Sequence, residues 1–366
     1  MMKKIIKVLI ISTFLITLFA CKQNSLQQFK ETTFNVGFNT PFTLIAYSES
    51  EEEFTKLFEQ MKKEISEMNQ LYDIYNDYEN VNNIKTINDN AGKKAVKVDQ
   101  KIIDLLLLSK EYSEKTNNKF NPTLGPVLKI WHDARERGIE ANRKDEYIAS
   151  PSQAVLEEAN QYVSWDFVEI DSEKNTVYLK DENAALDLGA IAKGYAVEMA
   201  AQSLEASGLK HGVVNGGGNV KTINSKPDEK WRVGITHPNE AVHTSILSLA
   251  FDSSMSIVTS GDYERYFIDD KGLRQHHLID SFTLQPARIG RSITVTTEDS
   301  TLADSLSTAF SMTSLDDAKE FSESLNIKDL GLVYVFETKQ DNQDFNFKEV
   351  DGMYVYYNDV IKDNLN

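Results

Sequence analysis

From His211 to Phe336 the chain breaks into short β-rich runs, HGVVNGGGNV, WRVGIT, LSLAFDSSMSIVTS, YERYFID, SITVT and DLGLVYVF. Gly, Asn, Asp, Ser and Pro separate them, the residues that turn a chain. Runs this short bury their apolar faces only by pairing with one another and packing against helices. No internal repeat, Pro-rich linker or abrupt change of composition interrupts the sequence. The pattern predicts one continuous, compact α+β domain, with mixed or antiparallel sheets and packed helices. DLGLVYVF is expected to be its last core strand.

The helices are marked by a different period. Phe54, Leu57, Phe58, Met61, Ile65, Met68 and Leu71 form one apolar stripe over residues 51–71. QKIIDLLLLSKEYSEKTNN reads as a second, more buried helix stopped by Asn117 and Asn118. DFVEIDSEKNTVYLK reads as a hairpin around Ser-Glu-Lys-Asn. ALDLGAIAKGYAVEMAAQSLEASGL runs from a short strand through Gly189 into a helix of roughly 18 residues, closed by Gly208. Two more helices are expected at 302–313 and 315–325. The fold should begin at FNVGFNTPFTLIAYS, where Phe42, Leu44 and Ala46 alternate with Thr43, Ile45 and Tyr47.

Composition narrows the function. With 366 residues, 41% hydrophobic and 26% charged, the chain is long and apolar enough for a real core. Its formal charge of −17 is spread along the sequence, which disfavours nucleic acid as a partner. An anionic ligand must be held locally, by helix N-termini, backbone amides or a divalent cation. The N-terminus carries Lys3, Lys4 and Lys7, an apolar run from Val8 to Ala20, and then Cys21, the single cysteine. That order reads as an export signal over residues 1–20. The run is shorter than the ~20 residues of a spanning helix, so a permanent transmembrane anchor is the weaker reading. LFAC resembles a bacterial lipoprotein signal with lipidation at Cys21, and residues 21–35 then form a polar tether to a domain over 36–366. Loss of the signal removes three lysines and no acid, and leaves no disulfide to be made.

In TLADSLSTAFSM, Asp304 and Thr308 lie four apart, one above the other on a helix, so both oxygens can reach one point. The plainer alternative is a solvated or capping Asp304, with Thr308 bonded back to a helix carbonyl. Two oxygen donors point to a hard cation, Mg²⁺ rather than zinc, and the six histidines show no His-Glu-x-x-His spacing. DLGAIAKG places small residues and Lys193 at a helix start, where free N–H groups favour phosphate, without being a P-loop. VNGGGN admits a close backbone approach, although tight packing explains both glycine-rich runs equally well. TSGDYERYF and QHHLID add a further glycine turn, aromatic residues and two histidines, His276 and His277.

Taken in order, FNPTLGPVLKIW, LDLGAIAKGYAVE, VNGGGNV, WRVGITHP, VTSGDYERYF, HLID and TTEDSTLADSLSTAF resemble the ApbE family, the FAD:protein FMN transferases. The resemblance runs from about Val36 to about Phe336, and it implies an ApbE-type fold. It also implies Mg²⁺-dependent transfer of the FMN half of FAD to a threonine hydroxyl of an acceptor flavoprotein, with release of AMP. Carried over by residue, Asp304 and Thr308 become side-chain ligands of Mg²⁺, and the carbonyl of Ala190 a third. Tyr75, Asn121, Pro122, Thr123, Asp187, Lys193 and Leu278 become FAD contacts. His277 becomes the proton acceptor, with His276 a decoy. The implied place of work is a bacterial cell envelope, lipid-anchored on the extracytoplasmic side. FAD hydrolysis to FMN and AMP, or flavin storage without chemistry, are the alternatives. The chain departs from the family pattern at Phe38 and Asn39, where Met-Gly is usual, and at Ser281, where Pro is usual, so a looser turn is expected after HLID.

Overall fold

The computed structural model describes residues 26–239 and 241–365. Cys21 and residues 1–20 lie outside them. The backbone is organised by a nine-stranded sheet in the order Gln27–Thr33, Phe42–Ser48, Gly212–Gly216, Asn219–Ile223, Ser256–Gly261, Ser292–Thr297, Gly331–Phe336, Met353–Tyr357, Asn346–Val350. Each of its pairings is antiparallel.

Alternation within the inner strands sets the layers. Leu332, Tyr334 and Phe336 point into the main core with the helices Gln100–Lys115, Ala192–Ala206 and Ser300–Ser311. Val333 and Val335 point the other way, onto the hairpin of Trp231–Thr236 with Ser245–Phe251. Residues i and i+2 share a face of a strand, so a strand buried on both faces is apolar throughout. A third core joins Phe42, Leu44 and Ala46 to Phe54, Leu57, Phe58, Met61 and Ile65 of the helix Glu51–Tyr72, while Met68 and Leu71 of the same stripe enter the main core; all seven are buried. Ser50 caps that helix by accepting from the N–H of Glu53.

Asn117 and Asn118 end Gln100–Lys115 at φ of 50° and 61°, left-handed values that Asn tolerates. Gly208, at φ 101°, closes Ala192–Ala206 in a Schellman motif, with Gly208 N–H to Glu205 O and Leu209 N–H to Leu204 O. The helix has 15 residues rather than roughly 18.

Four expectations are corrected. The short strand before Gly189 does not form. Leu186 exchanges both backbone hydrogen bonds with the side chain of Asn88, and Asp187 N–H goes to Pro122 O, so no ladder donors remain for a sheet. LSLAFDSSMSIVTS is two strands in different sheets, parted at a turn that Thr222 Oγ1 pins by accepting from Met255 N–H and donating to Ser253 O. Residues 27–33 are not tether, because Gln27–Thr33 pairs residue for residue with Phe42–Ser48. DLGLVYVF is not the last core strand, since Met353–Tyr357 follows with Val355 and Tyr356 fully buried. Its hairpin turns at Asp351-Gly352, both at positive φ, a signal the sequence carried.

Candidate active site

The helices Ala192–Ala206 and Ser300–Ser311 cross in direct contact. Gly194 lies in the first turn of Ala192–Ala206, so its N–H has no intrahelical acceptor. It goes to Asp304 Oδ2 at 2.8 Å, and the Ala190 carbonyl, just outside the helix, accepts no hydrogen bond among the described residues. The other oxygen of Asp304 faces Lys193 Nζ at 3.6 Å, and that amine also donates to Asn219 Oδ1 at 3.0 Å. Asp304 is 4% exposed, so it is neither solvated nor a cap; Asp299 caps its helix instead.

Thr308 lies one turn further along. Ser305, Ser307 and Ser311 each bond back to a carbonyl of the helix, whereas Thr308 Oγ1 makes no hydrogen bond among the described residues. Asp304 and Thr308 thus lie one turn apart on the helix that packs against Ala192–Ala206, whose N-terminal side follows Ala190. Among the described residues no three His, Cys, Asp or Glu side chains form a metal cluster.

The segment leading into the crossing carries the next group. Asp187 Oδ1 accepts from Gly189 N–H at 2.8 Å. Burial raises its carboxyl above the usual range, opposed by the Gly189 N–H and by Arg135 and His132. Asn121 Oδ1 accepts from both the N–H and the hydroxyl of Thr123, at 3.0 and 2.7 Å, and Pro122 O receives Asp187 N–H at 2.9 Å. Asn121 to Thr123 thus brace Asp187, with Thr123 buried and its hydroxyl already engaged. Tyr75, 53% exposed, lies over His132 with ring centroids 4.7 Å apart. Loss of water around its hydroxyl, although much of the residue is exposed, and then the nearby Asp187 carboxyl push its phenol up to about 12.

The two histidines differ in what their nitrogens do. His276 donates from Nε2 to Ala287 O at 2.7 Å and accepts at Nδ1 from Leu278 N–H at 3.2 Å. Both nitrogens are spent on backbone, and burial pushes it down to about 4. His277 Nδ1 lies 3.1 Å from Glu264 O, which fixes the proton there and leaves Nε2 as a lone-pair acceptor. Burial first, then Arg265, His276 and Arg135, push it down to about 3. Leu278 is 8% exposed and contributes apolar wall rather than a polar contact.

Sequence reasoning missed His132, Arg135, Arg265 and Asn219. Arg135 Nη2 is 3.0 Å from His132 Nδ1, and Arg265 Nη2 is 3.5 Å from Phe38 O. Neither arginine forms an ion pair among the described residues. The i, i+3 spacing of His132 and Arg135 was the available signal. The turn after HLID is not loose: Asp280 Oδ1 accepts from Phe282 and Thr283 N–H, Ser281 Oγ donates to Asn118 O, and Trp131 Nε1 donates to Leu284 O. Among the described residues no helix is long and apolar enough to cross a membrane.

Comparison with known proteins follows the same lines. A protein from Treponema pallidum named FAD:protein FMN transferase is 33% identical over 238 residues, 61% of this chain and 62% of that one. One from Rhodobacter capsulatus with the same name is 29% identical over 65% of this chain and 43% of its own. The chain thus spans under two thirds of the length of these relatives. The crystal structure of the ApbE protein from Thermotoga maritima matches 93% of this chain and 100% of its own, with TM-score 0.75 and 26% identity. The flavin transferase ApbE from Vibrio cholerae has the same fold, with TM-score 0.70 over 93% of this chain and all of its own at 18% identity. The ApbE family model matches residues 38–330, and the chain belongs to that family.

Proposed function

We propose that the protein transfers the FMN moiety of FAD to a threonine hydroxyl of an acceptor protein and releases AMP, with Mg²⁺ as cofactor. The observation that carries this reading is the buried Asp304, bonded to Gly194 N–H in the segment that follows Ala190, with the Thr308 hydroxyl left without a partner one turn along. The family supplies the context, since its curated relatives are named for this transfer.

Three oxygens of different kinds, one of them charged, fit a magnesium ion and do not suit zinc. Asp304, Thr308 and the Ala190 carbonyl would hold it, and when bound it supplies charge neutralisation and orientation of the FAD diphosphate. The rest is done by the chain. Lys193, Arg135 and Arg265 add positive charge for the diphosphate in a protein whose overall charge is −17. Tyr75 and His132 offer an aromatic ledge, while Asp187 and Asn121 to Thr123 shape the wall beside it. The threonine oxygen forms a bond to the phosphorus of the FMN half, and the bond from that phosphorus to the AMP oxygen breaks. The threonine proton goes to Nε2 of His277, the nitrogen that Glu264 leaves free. Burial first, and then the arginines, hold this imidazole at about 3, a weak base alone; a bound diphosphate offsets the arginine part and raises it.

Cys21, where a lipid would anchor the chain on the extracytoplasmic side of a bacterial envelope, belongs to the same proposal and rests on the signal in the sequence. The test is intact-mass analysis of a threonine-containing acceptor domain incubated with the mature protein, FAD and Mg²⁺, with AMP and free FMN measured. An acceptor heavier by one FMN with equal AMP supports transfer. AMP and free FMN with acceptor unmodified would make the enzyme an FAD hydrolase. Asp304→Ala removes metal-dependent turnover, and unchanged turnover would refute the metal assignment.

A further inference from the structure

The two crossing helices exchange carboxylates. Asp304, on Ser300–Ser311, accepts the N–H of Gly194; Glu198, on Ala192–Ala206, accepts the N–H of Ser300 through Oε2 at 2.8 Å. Residues 194 and 198, like 300 and 304, are four apart and share a helix face. Each carboxylate satisfies a first-turn N–H of the other helix, where no intrahelical acceptor exists. Between the two bonds a Cβ on Gly194 would lie 2.3 Å from Ser300 O and 2.5 Å from Asp304 Cβ, so backbone touches backbone.

Glu198 is itself held. Lys221 Nζ lies 3.1 Å from Oε2, both side chains are under a tenth exposed, and Gln202 Nε2 donates to Oε1 at 3.0 Å. Lys221 also donates to the carbonyl of Glu298, next to the cap of the second helix. Asn219 and Lys221 are two apart on one strand and so share its face: one holds Lys193 beside Asp304, the other holds Glu198 beside Ser300.

We infer that Glu198, fixed by Lys221, is a positioning residue for the cation site. It locks Ser300 onto the Ala192–Ala206 helix and thereby sets the spacing between the Asp304 carboxylate and the Ala190 carbonyl, which come from different segments. The inference rests on the proposed cation site. Magnesium tolerates little error in its oxygen distances, so a small slide of one helix reads out as lost affinity.

The test is Mn²⁺ binding, by electron paramagnetic resonance, to the mature chain without FAD. Glu198→Ala is expected to weaken binding at least about 10-fold, the lower end of what loss of an outer-shell partner costs a metal site, since Glu198 acts on the ligands through the helix spacing. Glu198→Gln still offers an acceptor to Ser300 N–H and recovers most of it. Turnover of Glu198→Ala recovers as Mg²⁺ is raised, while its KM for FAD at saturating Mg²⁺ stays put. If Glu198→Ala does not fold, because Lys221 is left buried and unpaired, the Glu198→Gln/Lys221→Met double variant decides. It keeps the acceptor without either charge and should bind within about threefold of wild type. Wild-type Mn²⁺ affinity in a folded Glu198→Ala protein overturns the inference, as does Glu198→Gln binding no better than it, or a folded double variant that binds weakly. Asp304→Ala is the control: if it binds Mn²⁺ as wild type does, the cation-site reading fails instead.

Discussion

Replacing Gly194 by alanine puts one methyl group where two helix backbones meet. The new Cβ would fall 2.3 Å from Ser300 O and 2.5 Å from Asp304 Cβ, distances no carbon sustains, and neither neighbour is the end of a flexible side chain. The helices must part. Overpacking costs about 1–3 kcal/mol, and a hydrogen bond to a charged group, here Gly194 N–H to Asp304 Oδ2, is worth about 1.5–3 kcal/mol. Alanine returns about 1 kcal/mol of helix propensity, so the net loss is about 2–5 kcal/mol. With an unfolding entropy of about 2.1 cal/mol/K per residue over roughly 340 residues, Tm falls by about 3–7 °C. Calorimetry measures that fall, and Mn²⁺ titration of the same sample measures the accompanying loss of cation affinity. A Tm within about 1 °C of wild type together with unchanged Mn²⁺ affinity would refute the contact and the geometry built on it.

The histidines should separate cleanly by phenotype. His277→Ala lowers kcat by about 10²–10⁴-fold with Tm nearly unchanged, whereas His276→Ala strips partners from Ala287 O and Leu278 N–H and costs about 2–4 kcal/mol of stability; the reverse pattern in paired kinetic and melting experiments would exchange their roles. Both imidazoles titrate below the unfolded value of 6.5, to about 4 for His276 and about 3 for His277, so the unfolded chain binds more protons below pH 6.5. Stability contributed by these two sites is present above pH 6.5 and is lost as pH falls toward 4. Melting curves of His276→Gln should show a shallower fall in Tm between pH 6.5 and 4.5 than wild type, and an equally steep fall would contradict the assignment. Trp131→Phe removes the donor to Leu284 O, whose residue is held at φ 61°, and should cost about 1–2 kcal/mol and raise proteolysis within 280–285, which limited digestion would detect.

Local signals carried much of this molecule. The seven-residue stripe of Glu51–Tyr72, the asparagine stop at 117–118 and the glycine stop at 208 were legible because each depends on neighbours within a turn or two. Asp304 and Thr308 were legible as a pair for the same reason, since helical spacing alone stacks them. The short strand before Gly189 failed because propensity could not show that Asn88, 98 residues away, would take both backbone bonds of Leu186. The split of residues 247–260 failed similarly, since Thr222 rather than local sequence pins its turn. The last strands were missed although Asp351-Gly352 announced their hairpin.

By itself the sequence determined the family, the helix that presents Asp304 and Thr308, and an acidic balance that forces any anion to be held by local charge. Only the tertiary structure decided which histidine keeps a free nitrogen, because that depends on where the carbonyls of Glu264 and Ala287 fall. It also decided that Gly194 gives its N–H to Asp304 and Ser300 gives its own to Glu198, bonds that span 110 and 102 residues. Spacing along a helix is set by the backbone and can be read from letters. The distance between two helices is set by packing and by buried partners contributed from elsewhere, and becomes fixed only when the chain has folded.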